Sequence, residues 1–337
     1  MALYDDSILV AAQAIIAEKY AKNEMRHQSF ELIKLFKENS PYIVENVEGL
    51  RTSDQRSITA KYLKLKATDA VTVRAHGHTG DFGGSGSDAL SFSIIGQPFK
   101  TSLKMGDRNL FNNAKLFSNQ LESAWINMLN TLMTNIGTHL NTYKSQVNNA
   151  TDETDLGDWD STNHLWKIAI GQKDWFIQYI TSMMQQNNYS GRFDVIADPV
   201  MFAIMQQNAA QGTQNATNKA FQYGDVNVHQ LTSLTSTNKG SAYIMPQPAI
   251  GLIDWTPRAN RENVSTKLYD YRTVMDPFGL GLVAAFHSYE TGADNSSNGA
   301  ETQDVNFEHE LTLNYALPMA PDATSNEYPL MRTELLA

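Results

Sequence analysis

The chain has 337 residues, with 26 Lys and Arg against 36 Asp and Glu, a net charge of −10, and no cysteine. The missing cysteine excludes a disulfide scaffold, thiolate metal sites and cysteine nucleophiles. Charged residues make up only 18%, while the amides number 28 Asn and 18 Gln; such a surface repels its own kind weakly and suits self-association.

The charge is unevenly placed. Residues 1–110 carry 14 basic and 13 acidic groups, residues 111–289 carry 11 and 14, and residues 290–337 carry 1 and 9. No basic stripe exists, which argues against sequence-specific nucleic-acid binding. Met1–Asp6 is acidic where a secretory signal would be basic, and no apolar run approaches the ~20 residues of a membrane span. The expectation is a soluble protein, made in a cytoplasm, with no membrane contact.

Along the chain, residues 6–38 predict helix in two pieces, from Leu9, Ile16 and Tyr20 and from Phe30, Ile33 and Phe36, stopped at Asn39-Ser-Pro41. Residues 52–104 predict a long β-hairpin. One arm alternates through Ile58, Ala60, Tyr62, Leu63 and Leu65, the other through Phe92, Ile94, Phe99 and Leu103, and five glycines fall in the tip at 76–87. Residues 112–147 carry an apolar stripe, Phe117, Leu121, Trp125, Met128, Leu132, Ile136, Leu140, Tyr143 and Val147, at helical spacing. Residues 148–164 predict an acidic loop and 165–187 a helix. A compact α/β pattern follows: a strand at Phe193–Ala197, a helix opened by Asp198-Pro199, and strands at Tyr223–Val228, Ala242–Met245 and Ile250–Ile253. Asp276–Gly279 is a turn, Leu280–Phe286 and Asn306–Tyr315 are strands, and Pro318 and Pro321 open a polar tail.

The motifs that would carry chemistry fail one by one. His76 and His78, with Asp81 nearby, offer metal-ligand residue types, but a glycine-rich tip lacks the rigid frame such a site needs. Gly83-Gly84-Ser85-Gly86 matches no phosphate-binding fingerprint. The acids between Asp152 and Asp160 match no calcium loop. No nucleophile, base and orienting group converge. The reading is therefore not an enzyme, with no catalytic, cofactor-binding or metal residues and no cofactor.

The order of elements resembles the major capsid protein of a tailed bacteriophage, with the Hong Kong 97-type capsid fold, an α+β architecture. The likeness rests on a helical arm, a glycine-tipped hairpin, a long helix, the α/β segment from Phe193-Asp-Val-Ile-Ala-Asp198-Pro199 through Tyr223–Val228, and returning strands. It implies an N-terminal arm at 1–50, an extended loop at 51–108 and a peripheral domain with spine helix at 109–194. An axial domain at 195–279, return strands of the peripheral domain at 280–320 and a tail at 321–337 complete it. The implied function is self-assembly as hexamers and pentamers into the icosahedral shell of a virion around double-stranded DNA, contacted non-specifically. Portal and scaffolding or decoration proteins are the implied partners, and the host cytoplasm is the implied place of assembly. Some members cross-link a hairpin lysine to a neighbour's asparagine; Lys61, Lys64, Lys66, Lys100 and Lys104 lie in this hairpin, and no motif selects one. The readings left beside it are a tail or adhesion component, an encapsulin-like nanocompartment shell, and a metal-dependent enzyme using His76 and His78.

Overall fold

The computed structural model describes residues 6–22, 30–55, 57–63, 85–102, 113–149, 157–208, 220–223, 225–234, 240–266, 269–294, 304–319 and 326–336. Two mixed regions of helix and sheet share one long helix. The chain opens with α1 (Asp6–Ala21), α2 (Glu31–Ile43) and the short α3 (Val47–Arg51). The helix α2 runs through Pro41 instead of stopping at Asn39. Its last turn is held from outside: Ser40 Oγ accepts the Leu252 N–H at 2.8 Å, and Phe36 O accepts the same N–H at 2.9 Å. Those bonds fix the turn that a proline would otherwise loosen.

Strands β1 (Ser57–Leu63) and β2 (Ser85–Ser91) form an antiparallel ribbon, registered from Ser57↔Ser91 to Leu63↔Ser85. The second arm of the hairpin is thus Ser85–Ser91, not Phe92–Leu103. Strand β3 (Ser93–Ser102) leaves the ribbon and joins a larger sheet. The apolar pattern at 92–103 fits either partner, so periodicity alone leaves the pairing open.

Helix α4 (Asn113–Thr142) has 30 residues, about 45 Å at 1.5 Å rise. Phe117, Leu121, Trp125, Leu132, Ile136 and Leu140 are buried along it. It ends before Tyr143, short of the expected 147, because the C-terminal segment captures the chain: Ser145 N–H donates to Leu330 O at 2.7 Å and Gln146 N–H to Asn326 O at 3.1 Å.

Beyond it come β4 (Asp158–Asp160), β5 (Leu165–Ala169), a 3-10 turn at Ile170–Trp175, α5 (Phe176–Gln186), β6 (Phe193–Ala197) and α6 (Pro199–Asn208). Strands β7 (Ala220–Tyr223), β8 (Val226–Gln230) and β9 (Ser241–Pro246) follow. Residues 165–169 are strand where helix was expected, since Trp166 and Ile168 are buried either side of half-exposed Lys167. Asp198 caps α6, accepting Met201 N–H at 2.7 Å and Ser241 N–H at 2.8 Å. The chain closes with β10 (Ile253–Trp255), α7 (Arg258–Arg261), β11 (Tyr269–Met275), β12 (Val283–Asp294), β13 (Asp304–Ala316) and β14 (Met331–Leu336).

Seven strands form one sheet in the order β4-β5-β14-β9-β6-β8-β7. Strand β14 lies inside it, parallel to β5 and antiparallel to β9, with Thr333, Glu334 and Leu335 buried. The expected polar tail at 321–337 therefore ends in a core strand. This sheet draws on residues 158–246 and 331–336, whereas β10 and β11, inside the expected 195–279 unit, belong to the other sheet. There, β13 pairs with β12 and β10 and also with β3, and β11 flanks β12. Phe99, Phe117 and Phe286 close on His309 beneath α4, with ring centroids 4.9, 5.3 and 5.6 Å from the imidazole.

Candidate assembly surface

The β1–β2 ribbon is a sheet of its own among the described residues, and the described contacts with the body gather at its root. On the incoming side, Ser53 O accepts Trp255 Nε1–H at 2.7 Å. The Arg261 guanidinium donates to Thr52 O at 2.7 Å, to Thr256 O at 3.0 Å and to Asp54 Oδ1 at 2.9 Å. On the outgoing side, buried Phe92 stacks on Trp255, and Ile43, Val44, Ile253 and Ala316 complete this small core. One tryptophan thus holds both strands where they leave the body.

Asp254 lies beneath this clamp. Its carboxylate takes Arg51 Nε at 2.9 Å, Arg51 Nη2 at 3.2 Å, Lys37 Nζ at 3.3 Å and the Val283 N–H at 2.9 Å. The side chain is buried, so these partners supply the compensation a desolvated carboxylate needs. Through it α2, α3, β10 and β12 meet behind the root. Trp255, Arg261 and Asp254 were not singled out from the sequence; they sit in a segment without periodicity, and their partners Lys37, Arg51, Thr52, Ser53 and Asp54 lie some 200 positions earlier.

Large apolar side chains stand exposed over the body: Tyr42, Ile94, Trp175, Val200 and Met275. Among the described residues, the buried titratable groups do not converge on a reaction centre. Burial pushes His139, His229 and His309 down to about 4, which keeps each imidazole neutral. His309 Nε2 lies 2.6 Å from Thr101 Oγ1. Asp194, raised by burial, accepts hydrogen bonds from Asn227 and Gln247 inside the seven-stranded sheet.

His76, His78, Asp81 and Gly83–Gly84 lie outside the described residues, as do Lys64, Lys66, Lys104 and the acids Asp152, Glu153 and Asp155. Lys61 stands on β1 opposite Ser87, and Lys100 pairs with Glu308. Asp160, the last of the acidic run, closes the β4–β5 turn: it accepts the Thr162 and Asn163 N–H groups at 2.9 and 3.0 Å and pairs with Lys167 at 2.7 Å. Among the described residues no three His, Asp or Glu gather as metal ligands, and no helix is long and apolar enough to cross a membrane.

No family model matches the chain, and no curated protein matches it in sequence. In structure it is similar to the capsid of Ralstonia phage GP4, at TM-score 0.49 and 8% identity, over 86% of this chain and 85% of that one. It is similar also to the capsid of cyanophage P-SCSP1u, at TM-score 0.46 and 11% identity, over 84% of each chain. The capsid of cyanophage Pam1 matches at TM-score 0.45 and 8% identity, over 85% of this chain and 86% of that one.

Proposed function

We propose that this chain is the major capsid protein of a tailed bacteriophage, a structural protein that assembles with copies of itself into a closed shell. The observation that carries the reading is the ribbon β1–β2, clamped at its root by Trp255 and Arg261 and, among the described residues, a sheet of its own. A two-stranded ribbon alone in water is marginal at best. A ribbon held at its base, and paired with no other strand among the described residues, is oriented toward a partner, and an amide-rich surface of low charge suits a second copy as that partner.

In this reading residues 1–50 are the arm, β1–β2 the extended loop and α4 the spine. The five-stranded sheet is the peripheral domain, and the seven-stranded sheet the axial domain that closes hexamers and pentamers. Packaged double-stranded DNA meets the shell without sequence readout, since a chain of net charge −10 does not grip phosphate. Portal and scaffolding or decoration proteins are the partners this role requires, with assembly in the host cytoplasm and residence in the virion. Electron microscopy of the purified full chain tests the reading: closed icosahedral particles or capsomers are expected. Stacked rings or fibres would assign it to a tail or adhesion structure, and a stable monomer across pH and salt would overturn self-assembly.

A further inference from the structure

We propose that Asp194 and His229 form one proton-binding site, a pH-sensitive latch at the point where the chain leaves the seven-stranded sheet for the five-stranded one. Asp194 on β6 pairs with Asn227 of β8, and His229, two residues further along β8, pairs with Ile196. Both side chains therefore stand on one face of the sheet. His229 Nε2 lies 3.9 Å from Asp194 Oδ1, too far for a hydrogen bond. Both imidazole nitrogens are buried, and neither has a hydrogen-bond partner among the described residues. The carboxylate is 1% exposed and accepts amide donors, from Asn227 at 3.2 Å and from Gln247. Among the described residues no Lys or Arg pairs with it.

At neutral pH this arrangement strands a ring donor, a ring acceptor and a buried charge. One proton taken from water settles the last two: it joins the acceptor nitrogen to the carboxyl oxygen and leaves the pair without net charge. The two atoms need approach by only about 1 Å to bond. Burial raises Asp194 and lowers His229 to about 4, and both shifts favour the pair that holds one proton. Among the described residues the surrounding elements bring no free charge onto the pair. Strand β7 and helix α6 have no acidic or basic residue. On β9, Met245 pairs with Asp194 and Tyr243 with Ile196, and beyond them Arg332 is paired with Glu334. On α2, which packs against β8, Lys34 pairs with Glu38, Lys37 with Asp254, and Glu31 acts on Tyr20. Arg192 and Asp225 are exposed, and Asp198 is taken up by its two backbone donors.

The same carboxyl oxygen holds the crossover between the sheets. Gln247 Nε2 donates to Asp194 Oδ1, Gln247 N–H donates to Arg192 O at 2.9 Å, and residues 247–252 lead from β9 to β10. Protonation removes the charge assistance from the Gln247 bond, about half its strength, while it ties β6 to β8. Acid thus exchanges a hold on the crossover for a bond within the sheet. This inference does not rest on the capsid reading.

The test is solid-state NMR of the full-length protein, labelled with nitrogen-15 histidine and carbon-13 aspartate and titrated from neutral to acid pH. His229 is assigned by its loss in His229→Gln, and the Asp194 carboxyl carbon by its through-space correlation with that ring. The two signals should move at one shared midpoint, and the His229 step should vanish in Asp194→Asn. Asp194→Asn also mimics the uncharged carboxyl, so at neutral pH residues 247–252 should exchange their amide hydrogens severalfold faster than in wild type. That difference should close below the midpoint. Separate midpoints, no step in either signal, a His229 step unmoved in Asp194→Asn, or equal exchange at neutral pH would overturn the proposal. If Asp194→Asn does not fold, the shared or separate midpoints of the wild type decide it.

Discussion

Phe92 and Trp255 stack with ring centroids 5.8 Å apart and planes 22° from parallel, 163 positions apart in the chain. The contact fixes the point where β2 gives way to β3, and the same indole binds Ser53 O just before β1. Removing Trp255 therefore loosens both arms together. Trp255→Ala should cost about 3–5 kcal/mol and open the residues flanking the ribbon to limited proteolysis. Trp255→Phe keeps the stacking but loses the hydrogen bond, and should cost about 1 kcal/mol. Equal protease resistance in wild type and Trp255→Ala would show that the root is held by something else.

The ribbon's register supplies a way to separate folding from assembly. Leu63 pairs with Ser85, so deleting residues 64–84 and joining the strands by Asn-Gly gives a two-residue hairpin turn. The shortened chain should keep the helical circular dichroism of α4 but form no normal closed particles. Normal particles would make the ribbon dispensable, and loss of the folded signal would place it in the subunit core.

Leu132 is fully buried midway along α4. Leu132→Ala should lower the unfolding free energy by about 2–5 kcal/mol. Leu132→Pro also breaks the helical ladder, a further ~3 kcal/mol or more, and should give no soluble folded protein. A wild-type melting curve from either variant would contradict the placement of α4 in the core.

Asp198 joins the start of α6 to the start of β9 through two backbone donors. Asp198→Ala loses the cap and strands the Ser241 N–H, for about 2–4 kcal/mol in all. Asp198→Asn keeps acceptor capacity for one of them and should cost less. Thermal melts of the two variants, ranked the other way, would refute the double-cap role.

Acid should weaken the fold through its buried imidazoles. His309 falls from 6.5 to about 4 through burial, so the folded state favours the neutral ring. Its contribution is whole above pH 6.5 and is lost as the pH falls toward 4. At pH 5 the loss from His309 alone is about 2 kcal/mol. In His309→Phe, the difference in urea stability between pH 7 and pH 5 should shrink by roughly that amount. An unchanged pH difference would mean that the ring is already charged, or open to water, in the folded state.

Helix α4 was legible because its buried positions recur at three and four residues, and both sheets pack against it. Strand β14 was not. Met331-Arg-Thr-Glu-Leu-Leu336 looks like a polar end, yet Arg332 and Glu334 pair with each other, and the Arg332 guanidinium lies 5.6 Å from the centre of the Tyr243 ring. Two charges that neutralise one another on one face hide a core strand from a composition reading. At Phe92 the pattern slips by one residue. Ile95 and Phe99 turn inward onto the core while Ile94 is 45% exposed, so alternation counted from Phe92 assigns Ile94 to the wrong face. The root of the ribbon left no local signature, because Trp255 and Arg261 grip Thr52, Ser53 and Phe92, residues brought to them by the fold. Gly77, Gly80, Gly83 and Gly84 and the histidines among them lie outside the described residues, so their part in the hairpin rests on sequence, while Gly86 lies on β2 opposite Tyr62.

The place of β14 sets a timetable for the newborn chain. Strand β9 ends at Pro246 and β14 begins at Met331, so about 84 residues must be added before the gap between β5 and β9 is filled. At translation speeds of about 5–20 residues per second, two strand edges stay open for roughly 4–17 seconds. During that interval the emerging polypeptide offers unpaired backbone to any neighbour on the same polysome, the hazard that unprotected edges carry. A heavily expressed version of this chain should therefore be sensitive to translation rate, with slower synthesis prolonging the exposed stage and raising the insoluble fraction.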